Sequence, residues 1–202
     1  MKKYFIFYLS LPFLSCSSSY TVQKQVFNAF KKQVVIQQKN IATICIVEES
    51  ETKLKALEYY EIAYNERKKS DYFNRKSVAS DINFNVWPID SLEINFLKKE
   101  LLNQKGEASL KWTKADFDDN PLTIKKLDEI KKIISNGSSS LNIEAFIISK
   151  PLISRNKKNG LIFYSSFDYF NGGETKNKVV LLEKINHKWV VITYFYDPRI
   201  MN

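Results

Sequence analysis

The apolar positions of this chain change period partway along. Up to about residue 137 they fall at helical intervals, and from Leu141 onward they run as extended, β-branched and aromatic stretches. Val26, Phe27, Phe30 and Val34 share one face of a helix expected near 22–36. Ile41 to Val47 is a β-branched run and reads as a strand. Leu54, Leu57, Tyr60 or Ile62, and Tyr64 predict a second helix over 52–68 with a highly charged outer face. No clean period exists over 69–88. Asp90-Ser91-Leu92-Glu93 places a capping acid three residues before a glutamate, the mark of a helix start. Leu92, Phe96, Leu97 and Leu101 form the stripe expected to follow. Ala108 to Trp112 is a candidate short strand. Thr123 is read as the cap of a further helix with Ile124, Leu127, Ile130, Ile133 and Ile134 on its apolar side, ended by Asn136-Gly137.

Four strand segments are expected in the last third: Ile143–Ser149, Gly160–Phe167, Val179–Ile185 and Lys188–Tyr196. Asn186-His187 leaves two residues between the last pair, the length of a hairpin turn that requires positive φ. With Ile185 opposite Lys188, continuous pairing sets Leu182 against Val191, Val180 against Thr193 and Val179 against Tyr194. Both faces of that ribbon are largely apolar, so a central hairpin covered on both sides is expected. The helices cover one side, and an N-terminal segment is the preferred cover for the other. The fold class is therefore α+β: N-terminal helices on a C-terminal, mainly antiparallel sheet of four to five strands.

The start of the chain has a different character. Met1-Lys2-Lys3 precedes eleven uncharged residues, Tyr4 to Leu14, and then Ser15-Cys16-Ser17-Ser18-Ser19. A bilayer-spanning helix needs about 20 apolar residues, and Pro12 interrupts this shorter run. A basic start, a short apolar core and small residues describe a removable export signal. A cysteine directly after that core, preceded by Ser15, resembles a bacterial lipoprotein signal. The resemblance implies cleavage before Cys16, a diacylglycerol on its thiol and an acyl chain on its new amino group. Phe13 and Leu14 depart from the commonest pattern, which has Leu three before the cysteine and a small residue two before. The expected organisation is a signal over 1–15, a tether over 16–24 and one domain over 25–202, helix-rich to about 137 and strand-rich over 141–197.

Composition narrows the function classes. The chain has 202 residues, 44% apolar and 26% charged, an ordinary globular balance. Loss of Lys2 and Lys3 with the leader leaves 29 basic against 22 acidic groups, so the formal charge falls from +9 to +7. A positive body suits anionic lipid, and export argues against nucleic acid as the partner. No helix-turn-helix, zinc or RNA-binding signature is present, and no phosphate loop, serine elbow or dinucleotide fingerprint. His187, the one histidine, stands on a turn and has no neighbouring ligand residues, so it is read as a solvated turn residue. Cys45 is read as a buried small hydrophobe on its strand. Asp116, Asp118, Asp119 and Asn120 have a calcium-loop look, but Pro121 and Leu127 stand where such a loop needs Gly and Glu. An acidic turn feeding a helix is the preferred reading. No cofactor, metal site or catalytic residue is singled out.

The C-terminal pattern carries a second resemblance. Ser149-Lys150-Pro151, the basic turn Arg155 to Gly160, Gly160-Leu161-Ile162-Phe163-Tyr164-Ser165, Asn171-Gly172-Gly173 and Leu181-Leu182-Glu183-Lys184 leading to Lys188-Trp189 resemble uncharacterised lipoproteins of Bacteroidota-type bacteria. The match extends more loosely to the capped helix and Lys111-Trp112. It implies a lipoprotein with an α+β domain and no established activity. The cysteines that often flank the glycine segment in that group are absent here, and Asn186-His187 replaces the usual Asn-Gly.

The leading expectation is a non-enzymatic, lipid-anchored envelope protein that binds another envelope component or protein. It is placed at the outer membrane facing the periplasm, because Ser17-Ser18-Ser19 lacks the acids that accompany surface display in such bacteria. Two other readings stand beside it. One is a small-ligand binder using the aromatic face that includes Tyr164, Phe167, Tyr169, Phe170, Tyr194, Phe195 and Tyr196, with Arg155, Lys157 and Lys158 as a cationic rim. The other is a hydrolase with paired carboxylates.

Overall fold

A computed structural model describes residues 19–36, 43–67, 87–103, 110–117, 122–135, 143–168 and 175–196. The fold is α+β, and the described residues form four α-helices and a mixed sheet of seven strands. The helices are α1 (Ser19–Phe30), α2 (Lys53–Glu66), α3 (Ser91–Asn103) and α4 (Leu127–Ser135). The strands are β1 (Thr43–Val47), β2 (Leu122–Lys125), β3 (Ile143–Ile148), β4 (Leu152–Ile153), β5 (Asn159–Asp168), β6 (Thr175–Ile185) and β7 (Lys188–Tyr196). Sheet order is β2-β1-β3-β5-β6-β7, with β4 continuing beside β5 past the end of β3. β1 runs parallel to both β2 and β3, and the other pairs are antiparallel.

The expected four to five strands become seven for identifiable reasons. Leu122–Lys125, taken from the sequence as a cap and first helical turn, is extended: Thr123 pairs with Cys45 and Ile124 with Ile46. The helix begins only at Leu127. Its stripe therefore shortens: Ile130 is buried beside Cys45, Val47 and Ala145, with Leu127 packed at the margin of that cluster. Of the segment expected over Ala108–Trp112 only 110–112 are described, and there Lys111 makes an isolated bridge with Glu49. β1 is among the strands expected from the sequence, so the two additional ones are β2 and β4, the latter pairing with β5 beyond the end of β3.

Each face of the sheet has its own cover. Val22, Val26, Phe27 and Phe30 of α1 pack against Ile46, Phe146, Ile148, Ile162, Tyr164, Val180 and Leu182. α1 passes into one wider turn, Lys31–Val35, closed by the Ile36 N–H on the Lys31 carbonyl at 3.0 Å. That turn keeps Val34 and Val35 buried. The opposite face carries α2 and α3 over Leu161, Phe163, Val179, Leu181 and Phe195, and α4 over Cys45 and Ala145. α1 begins at Ser19, so residues 19–24 of the expected tether are its first turns, and Val22 is already in the core.

Two helix faces differ from their predicted stripes. α2 buries Ala56, Leu57, Tyr59, Tyr60 and Ala63, leaving Leu54, Ile62 and Tyr64 at the margin. Thr52 caps this helix, accepting from the Lys55 N–H at 3.3 Å. α3 buries Ile94, Leu97 and Leu101, while Leu92 stands 73% exposed on the other side. The expected cap does form: Asp90 Oδ1 accepts from the Glu93 N–H at 2.9 Å.

The β6–β7 hairpin turns at Asn186 and His187 with φ of 47° and 65°, as its two-residue loop demands. Pairing runs as expected from Ile185–Lys188 to Leu182–Val191 and then slips by one. Leu181 meets Thr193, Val180 meets Tyr194 and Val179 meets Phe195. Ile192 is the extra residue, a bulge that brings Phe195 to the face covered by α2 and α3. The hairpin is covered on both faces but is not central, because β7 is the edge of the sheet. Gln33 guards that edge. Its amide donates to the Trp189 carbonyl and accepts from the Val191 N–H, both at 3.0 Å, supplying the bonds a further strand would make.

Candidate functional site

The carboxyl ends of β1 and β3 lie side by side because these strands are parallel, and the chain segments that leave them meet there. β3 stops at Ile148 and β4 resumes at Leu152, while β5 advances only from Tyr164 to Leu161 opposite them. One extra residue is thereby inserted at Ser149-Lys150-Pro151. Ser149 holds the break in place: its N–H donates to the Phe163 carbonyl and its hydroxyl accepts from the Phe163 N–H, each at 2.9 Å. Pro151 has no N–H to offer a ladder, which suits a break. The parity flips, so Ile148 faces α1 and Leu152 faces α2 and α3.

The bulge turns Lys150 onto Trp112. Its ammonium lies 3.9 Å from the indole centroid and 2.9 Å from Asp116 Oδ2. Trp112 is fixed by its own bonds: Nε1 donates to the Ile148 carbonyl at 2.9 Å and its backbone N–H to the Glu48 carbonyl at 2.8 Å. Phe27 of α1 lies tilted against it at 4.4 Å between centroids. Asp116 closes a capping box, accepting from the Thr113 N–H at 2.8 Å and its hydroxyl at 2.9 Å. Burial alone would push the Asp116 carboxyl up, but the bonds from Lys150 and Thr113 outweigh it and hold the group below its ordinary value. Two further ion pairs line the same end, Lys111 with Glu48 at 3.1 Å and Lys55 with Glu51 at 3.0 Å.

Two open clefts flank this cluster. One is lined by Tyr20, Gln23, Lys24, Phe27, Trp112, Asp116, Lys150 and Pro151. The other is lined by Ser19, Gln23, Lys53, Leu97, Glu100, Leu101, Pro151, Leu152 and Ile153. Gln23 and Pro151 border both. The arrangement offers amide, ammonium and carboxylate groups around an apolar floor, which is recognition chemistry. The one acid directly beside Lys150 is neutralised by it and already accepts from Thr113, so it is poorly placed to move protons.

Other residues considered from the sequence fall elsewhere. Cys16 and the glycine segment lie outside the described residues, as do Asp118, Asp119 and Asn120 of the acidic cluster and Tyr169 and Phe170 of the aromatic set. Among the described residues no group of three or more His, Cys, Asp or Glu side chains is arranged to hold a metal. Cys45 is a buried free thiol, pushed up by burial more than the nearby Lys125 pulls it down. His187 is exposed on its turn. Tyr164 is core, 5.5 Å from Phe30 and 6.3 Å from Phe146 between centroids. Tyr194 and Tyr196 are half-buried and bracket the Lys178 ammonium at 5.7 and 5.2 Å. Arg155 is held down by Glu93, at 2.6 Å through its side chain and 2.7 Å through its backbone N–H, and lies over Phe96.

The sequence pattern does not show that Glu144 of β3 and Asp168 of β5 are paired positions in the sheet. In the sequence Lys150 and Trp112 stand in separate motifs, and nothing in either shows that they touch. Their contact depends on a bulge, and nothing in the hydrophobic pattern marks one. Among the described residues no helix is long and apolar enough to cross a membrane. No family model matches the chain, and neither a curated protein nor a solved structure matches it.

Proposed function

We propose that this chain is a lipid-anchored protein of the cell envelope, attached through Cys16, whose folded head is a binding module rather than an enzyme. The observation that carries the reading is the junction itself: a short apolar leader ends at Ser15-Cys16, and helix α1 begins at Ser19. An eleven-residue apolar run is too short to span, so the leader is a signal. Several acyl chains on Cys16 would hold the head firmly, since one chain alone gives marginal binding. The two clefts beside the Lys150 cluster are the recognition surface, and an envelope protein or peptide is the partner their mixed polar and apolar lining suits. The head faces the periplasm from the outer membrane.

The test is metabolic labelling of the full chain with an alkyne fatty acid. The wild type should take up label and resist a high-salt wash of the membranes. Cys16→Ala should lose both properties. A Cys16→Ala protein that stays membrane-bound after the wash, or an intact leader on the cellular protein by mass spectrometry, would refute the anchor.

A further inference from the structure

We propose that the pole of the head where α1 begins lies against the lipid headgroups of the anchoring membrane, with Tyr20 seated among them. The inference rests on the lipidation of Cys16 proposed above. Only Ser17 and Ser18 lie between Cys16 and Ser19, and the three steps from one to the other span at most about 11 Å. The headgroup layer of one leaflet is roughly 5–8 Å deep. Ser19 is therefore held within or just outside that layer, and no protein domain fits between the pole and the lipid.

The surface there has the chemistry such a site demands. Tyr20 is 55% exposed although it is a large aromatic, and its hydroxyl makes only a 3.4 Å contact with the Ala115 carbonyl. An exposed tyrosine, apolar in the ring and polar at the tip, is the side chain favoured at a bilayer interface. Lys24 lies one helical turn further on, and Lys53 at the start of α2 borders the neighbouring cleft. Both ammonium groups suit anionic headgroups. Tyr20 borders one cleft, Ser19 the other and Gln23 both, so the two clefts adjoin this pole. A partner protein must then reach them along the membrane plane.

The test uses full-length protein processed and acylated in cells, carrying Tyr20→Cys with a nitroxide label, in vesicles containing phosphatidylglycerol. Cys45 is buried and will not compete for label. The reference is the same label on protein that also carries Cys16→Ser. Anchoring should lower collision of the label with a water-soluble nickel chelate several-fold. Ser19→Cys serves as a second position should the first variant fold poorly. Co-flotation with vesicles while both labels stay as water-accessible as in the reference overturns the inference and leaves the anchor standing. Failure to float overturns both.

Discussion

Asp116→Asn tests whether the Lys150 cluster holds this end of the sheet together. The substitution keeps an oxygen for the Thr113 donors but removes the charge that faces the Lys150 ammonium at 2.9 Å. The two side chains are 12% and 16% exposed, so water only partly replaces the lost partner. Breaking a fully buried pair costs about 3–5 kcal/mol, and an exposed pair about 0–1. Partial access places this pair between those limits, at about 1.5–3 kcal/mol, the range for hydrogen bonds to charged groups. Chemical denaturation of Asp116→Asn, Lys150→Met and the double variant gives the coupling, expected at about 1 kcal/mol or more. A coupling below about 0.3 kcal/mol would mean a screened surface contact and refute the argument. The pH dependence follows with a definite sign. The folded carboxyl titrates below its unfolded value, so its stabilisation is complete above the unfolded value of about 3.9 and is lost as pH falls through the folded one. The wild type should therefore lose more stability than Asp116→Asn on acidification through that window.

Gln33→Ala should cost roughly 1–3 kcal/mol, since two bonds to the β7 edge disappear; hydrogen exchange at Val191 should speed up, and unchanged protection there would discount the edge-guard role. His187→Gly should raise stability by about 0.5–1 kcal/mol, because His187 sits at φ 65° where only glycine is unstrained; a lower melting temperature would show that the imidazole makes a contact worth more than the strain. Gly160→Val should destabilise by about 1–3 kcal/mol, because a Cβ at that position already comes 3.0 Å from Val26 Cγ1. Adding Val26→Ala should restore part of the loss, and failure to do so would place the clash elsewhere.

What the sequence showed and what it hid divide along one physical line. Elements written in local chemistry were legible. The Asp90 cap, the positive-φ turn at Asn186-His187 and the burial of Cys45 each follow from a few adjacent residues. Features that depend on a partner distant in sequence were not. Leu122–Lys125 has an apolar residue in front of a helix and looks like its first turn, and only pairing with β1 makes it a strand. Parity is the deeper case. A strand's two faces are assigned by counting in twos, and a bulge adds one to the count without altering composition. Here it happens twice, at Ser149-Lys150-Pro151 and at Ile192. The second bulge moves Tyr194 and Phe195 to faces opposite those expected. The first turns Lys150 toward Trp112 and so creates the candidate site. The same slip that defeats the count along the sequence is what brings Lys150, Trp112 and Asp116 together, so the site is a consequence of the sheet's irregularity and could be read only once the register was known.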